Sequence, residues 1–273
     1  MNRLTKRLLA AGAIVAAAVS MTACSSGSGA SNDGSSLGTI KVGALPTPAG
    51  DILKFVADGQ AKDAGLDLQY VEFSDYNTPN PALADGSVDA NLFQHQAFLD
   101  NSNKSNGTDL VSVGTIYLPA AGFYSKKVDS LDALENGSTV AIPNDPTNEG
   151  RALELLAANK VIEIPAGATS ASEISSNPRE LKFEELDNPT LARAVDDSNI
   201  DAAFVTSTFA LGAGLTADQA IILETTEKYA NVLATRPELK DDARVQKLHE
   251  LLTSDETKKH ISDTWQGQVL PLS

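Results

Sequence analysis

Cysteine is nearly absent from this chain of 273 residues: Cys24 stands alone, so no disulfide can form within it. There are three histidines and no His-Glu-x-x-His run, and two of the three, His249 and His260, fall near the carboxyl end. An exported hydrolase would need a nucleophile with its base, or a set of metal ligands, and neither pattern is present. We therefore expect no enzyme, no metal and no cofactor. Positive charge is scarce as well: 21 Lys and Arg oppose 36 Asp and Glu, a net charge of −15. Phosphate binding needs a basic face, which excludes nucleic acid as a partner. Aromatic residues make up only 5 % of the chain, so a cluster of them carries information. Tandem repeats and large apolar surface stretches are not visible, which removes the basis for an adhesin.

What is present begins at the amino terminus. Arg3, Lys6 and Arg7 precede an apolar run from Leu8 to Val19, followed by Met21-Thr22-Ala23-Cys24. A spanning helix needs about 20 apolar residues, and this run has instead the layout of a secretory signal. Its end resembles a bacterial lipobox, so residues 1–23 are expected to be a signal peptide and Cys24 the lipid-modified first residue. Cleavage would leave 18 basic against 36 acidic residues, a net charge of −18. Residues 24–38, rich in Ser and Gly, then read as a flexible tether. Gly34-Ser35-Ser36-Leu37-Gly38 matches the G-x-S-x-G elbow in letters only, because no strand precedes it and no helix follows it.

The organising stretch is Ala141 to Arg151. Ser138 to Ile142 predicts a buried strand, and Leu153, Leu156, Ala157 and Val161 fall close to helical spacing. Asp145 and Pro146 suit an N-cap and first turn. Such a helix start attracts anions, and Arg151, expected in the first turn where its charge opposes the helix dipole, makes sense if a ligand carboxylate lies between guanidinium and backbone N–H groups. The plainer alternative is a solvated Arg151 paired to Glu149 or Glu154.

Elsewhere the pattern repeats. Thr39–Leu45 predicts a strand, Pro46–Asp51 a loop, Ile52–Ala64 a helix and Leu66–Phe73 a second strand. The organising stretch has the same order, closing on an expected strand Val161–Ile164. A second echo pairs Asp85–Phe93 with Asp197–Phe204, each after a helical segment and leading into a strand. Two similar βαβ-containing halves imply an α/β protein of two lobes, with a cleft at the strand ends. We expect residues 39–122 and 226–273 to form lobe 1 and residues 123–225 lobe 2, with hinges near Gly122 and Thr226. The tail predicts a helical stripe Val245, Leu248, Leu252. A capping box Thr253-x-x-Glu256 should then start a helix with Ile261 and Trp265 inward, leaving His249 and His260 on the surface.

Tyr76, Phe93 and Phe98 gather near one strand end; they could equally be core. His95 could be a structural, hydrogen-bonded histidine. Asn231 interrupts an apolar strand and needs a partner, from a backbone turn or a ligand.

Taken together, Asn144–Ala152, Asp89–His95, Tyr124–Lys127 and Tyr229–Asn231 resemble the NlpA/MetQ family of methionine-binding lipoproteins, in order from about Thr39 onward. The resemblance implies a two-lobed periplasmic-binding-protein type II fold with its ligand cleft between the lobes. It implies a monomer that captures methionine, L- and/or D-, and delivers it to an ABC permease and its ATPase. The anchor would place it on the extracytoplasmic face of the cell membrane. Arg151 would hold the ligand carboxylate and Asn231 its amino-acid backbone, while Tyr76, Phe93 and His95 line the side-chain pocket. Two positions depart from the pattern. The family's F-Q-H-K-P-Y reads Phe93-Gln94-His95-Gln96-Ala97-Phe98, so Phe98 lacks a hydroxyl. Thr206 stands where a ligand-binding Asn is usual. Another small apolar amino acid or a methionine-containing dipeptide remains an alternative ligand.

Overall fold

The structure is a computed structural model that describes residues 36–224 and 226–272. The expected signal peptide, Cys24 and most of the expected tether lie outside the described residues. Among those described are eleven strands. In chain order the first six are β1 (Gly38–Ala44), β2 (Leu66–Glu72), β3 (Ala90–His95), β4 (Val111–Pro119), β5 (Ala121–Tyr124) and β6 (Thr139–Pro143). The others are β7 (Lys182–Leu186), β8 (Ala202–Thr206), β9 (Ala220–Glu224), β10 (Asn231–Thr235) and β11 (Val269–Pro271). They form two sheets, ordered β11-β4-β10-β3-β1-β2 and β7-β6-β8-β5-β9.

The halves share one construction. β1 lies parallel between β2 and β3, and β6 lies parallel between β7 and β8. Val42 pairs with Ala90 in the first sheet and Val140 with Ala202 in the second. The echoed Asp-Ala pairs explain the likeness at atomic level. Asp89 accepts from Lys41 N at 2.9 Å, and Asp201 accepts from Thr139 N at 2.8 Å. Each carboxylate thus satisfies the strand-edge donor beside it and sets the register of the parallel pair. An antiparallel strand then flanks each triplet, β10 beside β3 and β5 beside β8.

Helices α1 (Asp51–Asp58), α2 (Gln60–Asp63), α3 (Pro79–Ala84) and α4 (Gln96–Asn106) belong to the first half. Next come α5 (Pro146–Ala158), α6 (Asn188–Ala194), α7 (Ser207–Gly212), α8 (Ala243–Leu252) and α9 (Asp255–Trp265). One apolar core packs Ile40, Val42, Leu53 and Val56 against Leu248, Leu252, Ile261 and Trp265 of the tail helices. Another packs Phe123, Val140 and Ile142 against Leu153 and Leu156 of α5.

Several local expectations are corrected. Val161–Ile164 forms no strand. Lys160 takes a left-handed φ of 60° and Val161 N donates back to Leu156 O at 3.0 Å, closing α5. Val161 and Ile162 are consecutive buried residues, which suits an apolar plug under a helix end and not a pleated strand. The neighbour of β6 is instead β7, whose charged Lys-Phe-Glu-Glu-Leu sequence suits a sheet edge. The expected helix Ile52–Ala64 breaks at Gly59. The last helix is capped by Ser254, which accepts from Thr257 N, while Thr253 ends α8 and donates to His249 O. Both tail histidines are half-buried and not fully on the surface: His260 stacks on Phe55 with ring centroids 3.9 Å apart, and His249 lies over Gly114. β1 starts at Gly38, and Leu37 N donates to Gly65 O, so the expected tether boundary at Gly38 falls slightly late.

The chain leaves the first sheet at Pro119, enters the second at Ala121, and returns between Glu224 and Asn231. Gly122 lies inside β5, where a Cβ would sit 2.1 Å from the Ile222 carbonyl oxygen of β9. Backbone cannot yield as a side chain can. Gly122→Ala is therefore expected to cost about 1–3 kcal/mol in urea denaturation. Gly114→Ala should cost less, because its new methyl meets only the movable His249 ring.

Candidate functional site

The carboxyl ends of β3, β6 and β8 all contribute to one site; β3 and β8 run straight into helices, and β6 does so after Asn144 and Asp145. His95 ends β3 and caps α4, accepting from Phe98 N through Nδ1 at 3.2 Å. With Nδ1 accepting, the neutral ring carries its proton on Nε2, which donates to Asn148 Oδ1 at 3.3 Å. Burial, reinforced by the Arg151 charge, lowers the His95 pKa to about 4. The ring is neutral at physiological pH. Asn231, opening β10, pairs in register with His95 on one side and Tyr117 on the other. Its Nδ2 donates to the buried Tyr117 hydroxyl at 3.0 Å, so the polar interruption of an apolar strand is satisfied by a side chain.

The start of α5 follows the expected cap, with one correction. Asp145 Oδ1 accepts from Asn148 N at 3.0 Å, and the same carboxylate takes Thr147 Oγ1, Asn148 Nδ2 and Asn188 Nδ2. The helix mouth is therefore already filled by the protein's own carboxylate. The backbone N–H of Asn148, one of the donors the sequence offered to a ligand anion, is thus taken by Asp145. Arg151 also lies beyond the first turn, where the unfavourable dipole effect has faded.

The solvated alternative for Arg151 is overturned too. Its side chain is 1 % exposed, and its Nε donates to Glu224 Oε2 at 2.6 Å. Nη2 donates to Pro119 O at 3.1 Å, and the guanidinium carbon lies 4.4 Å from the centre of the Tyr229 ring. Glu149 is turned away to Ala171 N, and Glu154 binds Lys228 and the Tyr229 hydroxyl. Three groups hold the guanidinium in place, and Nη1 makes no hydrogen bond among the described residues. An arginine held this way still offers an edge to a carboxylate.

Aromatic rings form the facing wall. The Tyr76 ring centre lies 5.7 Å from Phe93, 5.9 Å from Phe98 and 5.1 Å from Phe209. Its hydroxyl is hydrogen-bonded to Thr206 Oγ1 at 3.3 Å, joining the loop after β2 to the end of β8. Burial raises the Tyr76 pKa, so the phenol stays protonated. The cavity between these groups is narrow, with about 10 Å³ of room for the centre of a water-sized molecule, and all seven expected residues, Tyr76, Phe93, His95, Phe98, Arg151, Thr206 and Asn231, line it. Gln94, Pro119 and Asn148 line it as well and were not expected. Of these only Asn148 left a trace in the sequence, three residues past the Asp145 cap. Gln94 is buried in an amide network with Asn80 and Asn91. Among the described residues no group of His, Cys, Asp or Glu is arranged to hold a metal.

Family comparison agrees with this architecture. The profile of the NlpA lipoprotein family matches residues 40–273. The chain belongs to that family. It is 41 % identical over 235 residues to the D-methionine-binding lipoprotein MetQ of Escherichia coli K12, covering 84 % of this chain and 86 % of the relative. Lipoprotein 28 of the same organism is 37 % identical over 238 residues, with 85 % and 87 % covered. Among solved structures, a nutrient-binding protein from Burkholderia cenocepacia bound to methionine superposes with a TM-score of 0.82. It is 39 % identical, covering 86 % of this chain and all of its own length. These likenesses establish the two-lobed periplasmic-binding-protein fold for this NlpA-family chain.

The neutral His95 has a consequence for stability. Its pKa is about 4 in the fold against about 6.5 unfolded, so the unfolded chain binds the extra proton between those values. The contribution is complete above pH 6.5 and is lost as pH falls towards 4, about 3 kcal/mol in all. Denaturation at pH 7 and pH 4.5 should therefore differ less in His95→Asn than in the parent.

Proposed function

We propose that this protein captures free methionine, L- and/or D-, and delivers it to an ABC permease driven by its ATPase. Cys24 would carry the lipid anchor on the extracytoplasmic face of the membrane, and the protein would act as a monomer without turning its ligand over. The observation that carries the reading is Arg151: a buried, braced guanidinium beside a small cavity with an aromatic opposite wall. The carboxylate end of an amino acid fits the arginine. Its amine would meet neutral acceptors such as the Asn231 amide and the Thr206 hydroxyl. The thioether would lie on Tyr76, Phe93 and Phe98, gaining about 0.3–1.5 kcal/mol per sulfur–aromatic contact. His95 would form part of the pocket wall as a neutral ring. Relatives whose names carry methionine, and a similar structure holding it, support the same ligand.

The two sheets with their helices would act as two lobes closing on the ligand, divided not at Gly122, which lies inside β5 of the second sheet, but just before Ala121. The crossings at 119–121 and 224–231 would serve as hinges. Small-angle scattering should then report compaction when methionine is added. An unchanged radius at saturation would count against closure.

Calorimetric titration with L-methionine, D-methionine, leucine and methionyl dipeptides tests the ligand directly. Mass spectrometry of the denatured protein should accompany it, to detect ligand carried through purification. Methionine should bind most tightly; preference for a dipeptide would replace this reading with the alternative ligand. Arg151→Lys, which keeps the charge but loses the planar set of guanidinium donors, should weaken methionine about a hundredfold. Arg151→Ala is a poorer test, because it leaves the Glu224 carboxylate buried without a partner, at a cost of about 3–5 kcal/mol in stability.

A further inference from the structure

Arg151 is neutralised from a side that the cavity does not reach. Glu224, at the end of β9, is 11 % exposed and does not line the cavity. Its two oxygens are both committed: Oε2 accepts from Arg151 Nε at 2.6 Å and Oε1 from Thr226 N at 2.9 Å. Among the described residues no carboxylate lines the cavity. Asp145, held by Thr147, Asn148 and Asn188, stands behind the amide of Asn148. His95 is neutral. Among the residues that line the cavity Arg151 is thus the charged one, and Glu224, in contact with it from outside the cavity, offsets its charge.

We infer that Glu224 is a specificity-determining positioning residue: by neutralising Arg151 it matches the site to a zwitterion and against a bare carboxylate. This rests on the reading that Arg151 takes an amino-acid carboxylate. Once such a carboxylate arrives, it and Glu224 occupy different edges of one guanidinium and repel each other across a poorly solvated gap. The ligand's own ammonium offsets that repulsion, because a zwitterion adds no net charge beside the Arg151–Glu224 pair. A ligand of the same shape without the ammonium leaves an uncompensated buried charge, which is expensive. The Oε1 bond to Thr226 N fixes the Glu224 carboxylate to the second crossing, so its position does not depend on the ligand.

The test is calorimetric titration of the purified full-length protein with methionine and with its des-amino analogue, 4-(methylthio)butanoate. The parent should prefer methionine by about a hundredfold or more. In Glu224→Gln, which keeps the shape and removes the charge, that ratio should narrow by about tenfold. Glu224→Asp keeps the charge and should keep the ratio while weakening both ligands. Equal losses on both ligands in Glu224→Gln, with the ratio unmoved, would reduce Glu224 to a structural role and overturn the assignment. Melting curves identify a variant that has not folded. In that event the parent decides by itself, because equal affinity for the two ligands contradicts charge matching. A parent that binds neither overturns the reading of Arg151 and this assignment with it. A parent that binds methionine while the ratio stays fixed in Glu224→Gln overturns the assignment alone.

Discussion

A guanidinium sealed from water must be neutralised and hydrogen-bonded in place, and Arg151 imposes that demand where the chain crosses between its halves. Its partners come from distant parts of the sequence: Pro119 from the outgoing crossing, Glu224 and Tyr229 from the returning one. Replacing such a pair by apolar residues of similar volume often leaves stability unchanged or raises it, so the pair is weak evidence of a stabilising device. Its geometry is better explained by what it leaves available, a braced cation beside a small cavity. Glu154, Lys228 and the Tyr229 hydroxyl extend the bracing outward, tying α5 to the returning crossing.

The duplicated βαβ construction is what delivers the other groups to the same place. In each half a central parallel strand is flanked by two neighbours, with an Asp carboxylate pinning the backbone N–H of the adjacent strand. Parallel strands joined by helices point their carboxyl ends one way, and polar residues at those ends meet across a cleft. His95, Asn148 and Thr206 arrive by this route. At the site itself, two of the hydrogen bonds that bridge the halves are Tyr76 to Thr206 and His95 to Asn148. Both use neutral groups, consistent with the depressed basicity of His95 and the raised pKa of Tyr76. Among the residues lining the cavity, Arg151 is the charged one, with Glu224 as its counter-ion.

Much of this was legible in the residues. The Asp145 cap, the two echoed strand–helix units and the inward stripe of the tail rest on local spacing, and the structure contains them. The seven candidate residues came mainly from motif resemblance, with support from scarce aromatics and a polar break in an apolar strand. What escaped was whatever depended on a distant partner. Val161–Ile164 has the composition of a strand, yet it plugs the end of α5 because charged Lys182–Leu186 takes the sheet edge. The Asp145 carboxylate gathers side-chain donors as well as the Asn148 backbone N–H, among them Asn188, 43 positions along the chain, which spacing alone did not reveal.

By itself, then, the sequence determined the class of fold, the acidic character and the sites where helices start, because those follow from periodicity and local capping. Tertiary structure decided which acid meets Arg151. Glu149 and Glu154 are its neighbours in the helix, yet Glu224, 73 positions along the chain, is its partner. Helical geometry brings residues three or four apart onto one face, but burial removes the competing water and leaves the choice to whatever the opposite crossing presents.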